Sequence, residues 1–111
     1  MSNTRYLISN GVGKLIGLTL LLTQLHLAQA ATDCSMVTQI PLVECEALID
    51  FYNSTNGSNW INNFGWNVTN TPCQWKGVTC SGGRVTELSL DTNQLIGTIP
   101  ASLGNLSELV V

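Results

Sequence analysis

VTELSLDTNQLIGTIPASLGNLSEL, residues 85–109, decides how the rest of the chain is understood. Val85, Leu88, Leu90, Leu95, Ile99, Leu103 and Leu106 recur at offsets that fit neither a strand nor a helix throughout. Thr86–Leu90 suits a short strand, with Leu88 and Leu90 on one side and Glu87, Ser89 and Asp91 on the other. Gly97 and Pro100 mark bends. Leu109 follows Val85 by 24 residues (109 − 85) and stands where the same pattern would begin again.

The other end of the 111-residue chain has a different texture. Arg5 and Lys14 precede an apolar run, Leu15–Leu25, and Ala28-Gln29-Ala30 forms a small-x-small box. That order predicts a secretory signal peptide over residues 1–30, cleaved after Ala30. A membrane anchor is the competing reading, but a run of 11 residues is short for a span that needs roughly 20. After cleavage, Lys76 and Arg84 face seven acids (Asp33, Glu44, Glu46, Asp50, Glu87, Asp91 and Glu108), a charge of 2 − 7 = −5. Such a balance gives no footprint for nucleic acid or an anionic membrane.

Cys34, Cys45, Cys73 and Cys80 remain, an even number in an exported chain, which argues for disulfides. Three pairings are open. The local one, Cys34–Cys45 with Cys73–Cys80, is the one expected here, each bridge contributing about 2–3 kcal/mol in the chain-entropy model. A metal site is disfavoured, because there is no Cys-x-x-Cys pair and His26 lies in the leader. Neither a cofactor nor a metal is expected.

Between the leader and the leucine pattern, Pro41 opens a helical segment in which Cys45, Leu48, Ile49 and Tyr52 share a face. Glu44, Glu46 and Asp50 fall outside that stripe. The helix should end near Asn53, at NSTNGSN. Trp60, Phe64, Trp66 and Trp75 then punctuate a polar, glycine-rich stretch and predict a small aromatic core under irregular loops. An exposed aromatic platform for sugars is the alternative.

Val85-x-x-Leu88-x-Leu90-x-x-Asn93-x-Leu95-x-Gly97-x-Ile99-Pro100-x-x-Leu103-Gly104-x-Leu106 resembles the plant-type leucine-rich repeat position for position, with Val85 in the opening leucine slot. Pro72-Cys73-x-Trp75-x-Gly77-Val78-Thr79-Cys80 resembles the N-terminal cap that precedes the first repeat of that family. The stretch from Glu44 to Trp66 is more similar to the caps of secreted bacterial and protist relatives. The resemblance implies an α/β fold: the start of a leucine-rich repeat solenoid, with a disulfide-stapled helical cap and one 24-residue repeat. It places the cap at 31–83, the first repeat at 84–108 and the start of a second, truncated repeat at 109–111. A repeat cannot bury its apolar flank alone, so a cap must cover the first coil. Trp60, Trp66, Trp75, Leu88, Leu90, Asn93, Leu95 and Ile99 are the structural residues of this scheme. Asn93 is expected inside, pairing with backbone groups where the chain turns.

No catalytic set is visible, and an enzyme is not expected: the mature chain lacks histidine and no acid pair is placed for glycoside chemistry. The resemblance implies recognition of an extracellular protein or peptide by the concave strand face, at Thr86, Glu87, Ser89, Asp91 and Thr92. The alternative is a non-binding structural cap of a longer receptor or secreted repeat protein. One complete repeat where about three are normally needed predicts a marginal chain that self-associates through its open C-terminal end. Asn53, Asn56, Asn67 and Asn105 begin Asn-x-Ser/Thr sequons and would carry sugar in a eukaryotic secretory host.

Overall fold

A computed structural model describes residues 31–110. The expected leader, residues 1–30, and Val111 of the expected second repeat lie outside them. Helix α1 runs Leu42–Ser54. It is free of glycine and proline, and Glu44 in its first turn favours the positive end of the helix dipole. Pro41 stands one position earlier than anticipated. It is the N-cap, extended at φ −62°, ψ 153°, and its carbonyl takes the first helical N–H, from Cys45. The helix stops at Thr55, whose N–H and hydroxyl both donate to Phe51 O; Asn56 then turns left-handed at φ 61°.

The buried face of α1 is Glu44, Cys45, Ala47, Leu48 and Phe51, with Ile49 and Tyr52 only half-buried. The expected stripe was therefore rotated, and it missed Phe51 and Glu44. Phe51 meets Trp60 at 5.8 Å and Trp66 at 6.2 Å, and Trp66 lies 5.0 Å from both Trp60 and Trp75. All three indoles are buried, and each N–H is satisfied: Trp60 by Thr55 O, Trp66 by Lys76 O, Trp75 by Thr69 Oγ1. At about 25 cal/mol per Å², an indole that buries about 150–250 Å² contributes roughly 4–6 kcal/mol as an upper value. Phe64 is not part of this core. It is 72 % exposed and meets none of the aromatic rings of the core.

Both disulfides follow the local pairing, Cys34–Cys45 and Cys73–Cys80. The first ties the lead to α1. The second closes a turn that delivers strand β1, Val78–Ser81. Gly82 and Gly83, both at positive φ, make a two-residue hairpin into strand β2, Arg84–Leu88. β1 and β2 pair antiparallel, Val78 opposite Leu88 and Ser81 opposite Arg84. Neither β1 nor this hairpin was anticipated from the sequence, although a Gly-Gly pair between β-branched residues is the signal for one.

β2 also differs from the strand expected at Thr86–Leu90. It starts earlier because Arg84 pairs with Ser81, and its last paired residue is Leu88, opposite Val78, with one further bond from Ser89 N to Gly77 O. A register shift between Thr79 and Cys80 leaves Thr86 without a direct partner. That bulge lets Val85 and Leu88, three apart, both face inward, which strict alternation forbids. Past β2 the chain turns at 91–92, bends at Gly97 and makes a short 3-10 turn at Ala101–Asn105. It then returns so that Val110 N donates to Thr86 O at 2.9 Å, 24 residues on (110 − 86).

Candidate ligand-recognition face

Residues 31–83, expected to be the cap, and the segment from Arg84 onward, expected to be the first coil, meet along a seam that is polar as well as apolar; cap and coil below denote these two segments. Glu44 is fully buried, yet its carboxylate is answered. Oε2 takes the Arg84 Nε–H at 2.5 Å, and Oε1 takes the Val85 N–H at 2.8 Å. Arg84 reaches on to Ser107 Oγ at 2.7 Å. One carboxylate thus ties α1 to the start of β2 and, through Arg84, to the far end of the coil. The sequence reading set Glu44 outside the apolar stripe. Its offset from Leu48 and Phe51 (i, i+4, i+7) was the missed signal.

Asn93 is the second tie. It is 5 % exposed, its Oδ1 accepts from Asn62 N at 2.7 Å, and its Nδ2 donates to Asn62 O at 2.9 Å. Its own carbonyl accepts from Ile61 N. The buried asparagine therefore pairs with backbone, but with the cap loop 31 residues upstream. A third tie closes the C-terminal end of α1: Ile96 N donates to Thr55 O and Thr98 N to Ser54 O. These are carbonyls a helix end leaves without partners. The approach works because Gly97 lies between the two donors at φ 132°; a Cβ there would overlap Ser54 O.

Away from the seam the expected site residues separate. Glu87, Ser89, Asp91 and Thr92 are exposed. Thr86 is half-buried at the bulge, with its hydroxyl 3.3 Å from Thr79 O. Only Thr86 and Glu87 lie on the strand; Ser89, Asp91 and Thr92 form the turn that follows it. Leu88, Leu90 and Leu95 are half-buried and pack on the core. Ile99 does not: it is 61 % exposed and is not among the side chains packed against the core, so the structural role expected for it is not seen.

A cavity of about 270 Å³ opens between the cap loop and this turn, lined on one side by Ile61, Asn62 and Lys76 and on the other by Ser89–Asn93. Sequence reasoning missed the contribution of Ile61, Asn62 and Lys76, which long-range bonds bring to the coil: Asn93 with Ile61 and Asn62, and Ser89 N with Gly77 O. Of the sequons, Asn53, Asn56 and Asn105 are exposed, whereas Asn67 is half-buried with its Oδ1 accepting from Thr32 N. Among the described residues, no group of three His, Cys, Asp or Glu is placed to hold a metal ion, and all four cysteines are in disulfides. No helix among them is long and apolar enough to cross a membrane.

Residues 43–81 match the family model of the leucine rich repeat N-terminal domain. Three Arabidopsis thaliana proteins are similar to the chain. A probable leucine-rich repeat receptor-like protein kinase is 40 % identical over 68 residues, 61 % of this chain and 10 % of that protein. A probable inactive receptor kinase is 43 % identical over 65 residues, 57 % of this chain and 9 % of its own length. A leucine-rich repeat receptor protein kinase is 42 % identical over 71 residues, 60 % of this chain and 6 % of its own length. The chain thus spans a tenth or less of these relatives, and no kinase activity is implied for it. All three are plant proteins, so the nearer likeness to bacterial and protist caps gains no support from them. No solved structure gives a match.

Proposed function

Because the chain carries the N-terminal cap of a plant-type leucine-rich repeat protein, we propose that it serves extracellular recognition of a protein or peptide through the outward side of β2 and the turn after it. One observation carries this reading. Glu87, Ser89, Asp91 and Thr92 stand exposed between buried Val85 and buried Asn93, so a fixed backbone presents side chains with no packing role. Exposed polar groups held on a rigid frame are what a recognition surface needs. The receptor-type relatives support an extracellular setting, as does the leader expected at residues 1–30.

Selection of a random-peptide display library on the full chain tests the reading. The expected outcome is enrichment of peptides whose binding falls about tenfold or more when Glu87 and Asp91 are both changed to lysine, the size of a charge-pair loss at an interface. Absence of enrichment, or binding indifferent to those changes, would contradict it.

A second reading is a cap without a ligand of its own. Ile96, Ile99 and Val110, 67 %, 61 % and 72 % exposed, favour it, since exposed apolar side chains are what a further stacked coil would cover. Sedimentation of the full chain separates the two: concentration-dependent association supports the cap reading, and a stable monomer that still selects peptides supports recognition.

A further inference from the structure

We propose that the cavity between the cap loop and the turn after β2 is a carboxylate-binding subsite, in which Lys76 holds one acidic side chain or one chain-terminal carboxylate of a peptide; this rests on the recognition reading above. At about 270 Å³ the cavity is smaller than pockets that take a whole drug-sized ligand, about 300–1,000 Å³. It fits a single residue of a longer partner.

The described residues hold two cations, and Arg84 is already engaged with Glu44. Lys76 makes no ion pair among the described residues, although Asp91 lines the same cavity. Its base is fixed on both sides. Its N–H donates to Phe64 O at 2.9 Å, and its carbonyl accepts from the indole of fully buried Trp66 at 2.8 Å. The adjoining Gly77 carbonyl accepts from Ser89 N at 2.8 Å, which brings the Lys76 turn against the coil. In a chain with a mature charge of −5, this is the point among the described residues where an anion is favoured.

Two further features fit an anion. Asn62 Oδ1 is occupied by the Phe64 N–H, so the donating end of that amide is the one left for a ligand. Thr92, on the coil wall, has φ 58°. A β-branched residue in the left-handed region is strained, and such strain concentrates at ligand clamps. Asp91 then sets the charge limit. It offsets part of the Lys76 attraction; for doubly charged phosphate the attraction and the repulsion both double, while the cost of taking the ion out of water rises with the square of its charge. The subsite therefore prefers carboxylate to phosphate.

Amide-resolved NMR titration of the full chain tests this with four probes. N-acetylglutamate N-methylamide offers a side-chain carboxylate, and N-acetylleucine a terminal one. N-acetylglutamine N-methylamide is the uncharged isostere, and inorganic phosphate is the competing anion. At least one carboxylate probe should shift the Asn62, Ser89 and Thr92 amides saturably, and the tighter of the two identifies the source. The glutamine probe, phosphate, and either carboxylate on Lys76→Gln should bind about tenfold or more weakly, the loss of one hydrogen bond to a charged group. An unshifted Trp66 indole signal in Lys76→Gln would show that its fold is intact. No saturable shift with either carboxylate, equal binding of glutamine or phosphate, or full binding by Lys76→Gln would overturn the proposal. Those failures leave the recognition reading standing if displayed peptides still depend on Glu87 and Asp91.

Discussion

Two sets of residues in the coil are alike in kind and meet opposite fates. Against the cap, Val85 and Leu106 are 0 % and 4 % exposed, and Asn93 is 5 % exposed with its amide fully used. In the other set, Ile96, Ile99 and Val110 are 61–72 % exposed. Burial along this chain is therefore set by whether a layer is stacked against the residue, more than by hydrophobicity. The cap supplies that layer for the first set, through the tryptophans, α1 and three hydrogen-bonded ties.

The contrast is broken most strongly from within the cap. Trp66→Ala removes the indole that touches Trp60, Trp75, Phe51 and Tyr52, and should lower stability by about 3–5 kcal/mol in denaturant titration. Glu44→Ala should follow at about 3 kcal/mol, toward the low end for a broken buried pair because the Arg84 side chain is 36 % exposed. The Val85 N–H would lose its partner in the same variant. A loss near zero would mean that this seam does not hold cap and coil together.

Much of this layout was legible in the sequence, for identifiable reasons. The cysteine spacings led to the local disulfides because a bridge over a short loop needs only local geometry. The tryptophans led to a core because a polar stretch has little else to bury. What stayed hidden was long-range. Nothing local announces that Glu44 answers Arg84 forty residues away, that Asn93 pairs with Asn62, or that Lys76 lines a cavity with Ser89 and Asp91. The bulge at Thr86 was hidden too, since it arises from β1, whose only advertisement was Gly82-Gly83.

Smaller effects sharpen the comparison. Asn93→Ala should lower stability by about 1–3 kcal/mol, because the Asn62 N–H and carbonyl lose their side-chain partner. Paired truncations in the two sets then measure the asymmetry itself. Leu106→Ala should cost about 2–5 kcal/mol by the usual core rule, and Ile99→Ala should stay within about 0.5 kcal/mol of the parent. Equal losses would mean that Ile99 is also covered in solution, by another copy of the chain.

Native-state amide hydrogen exchange tests the sealing of the seam most directly. Val85, Asn62 and Ile96 donate across the seam to Glu44, Asn93 and Thr55. If cap and coil form one cooperative unit, these three amides exchange with the same opening free energy as the buried turns of α1. Fast exchange at all three beside a protected α1 would show a cap that folds without holding the coil, and would contradict the account.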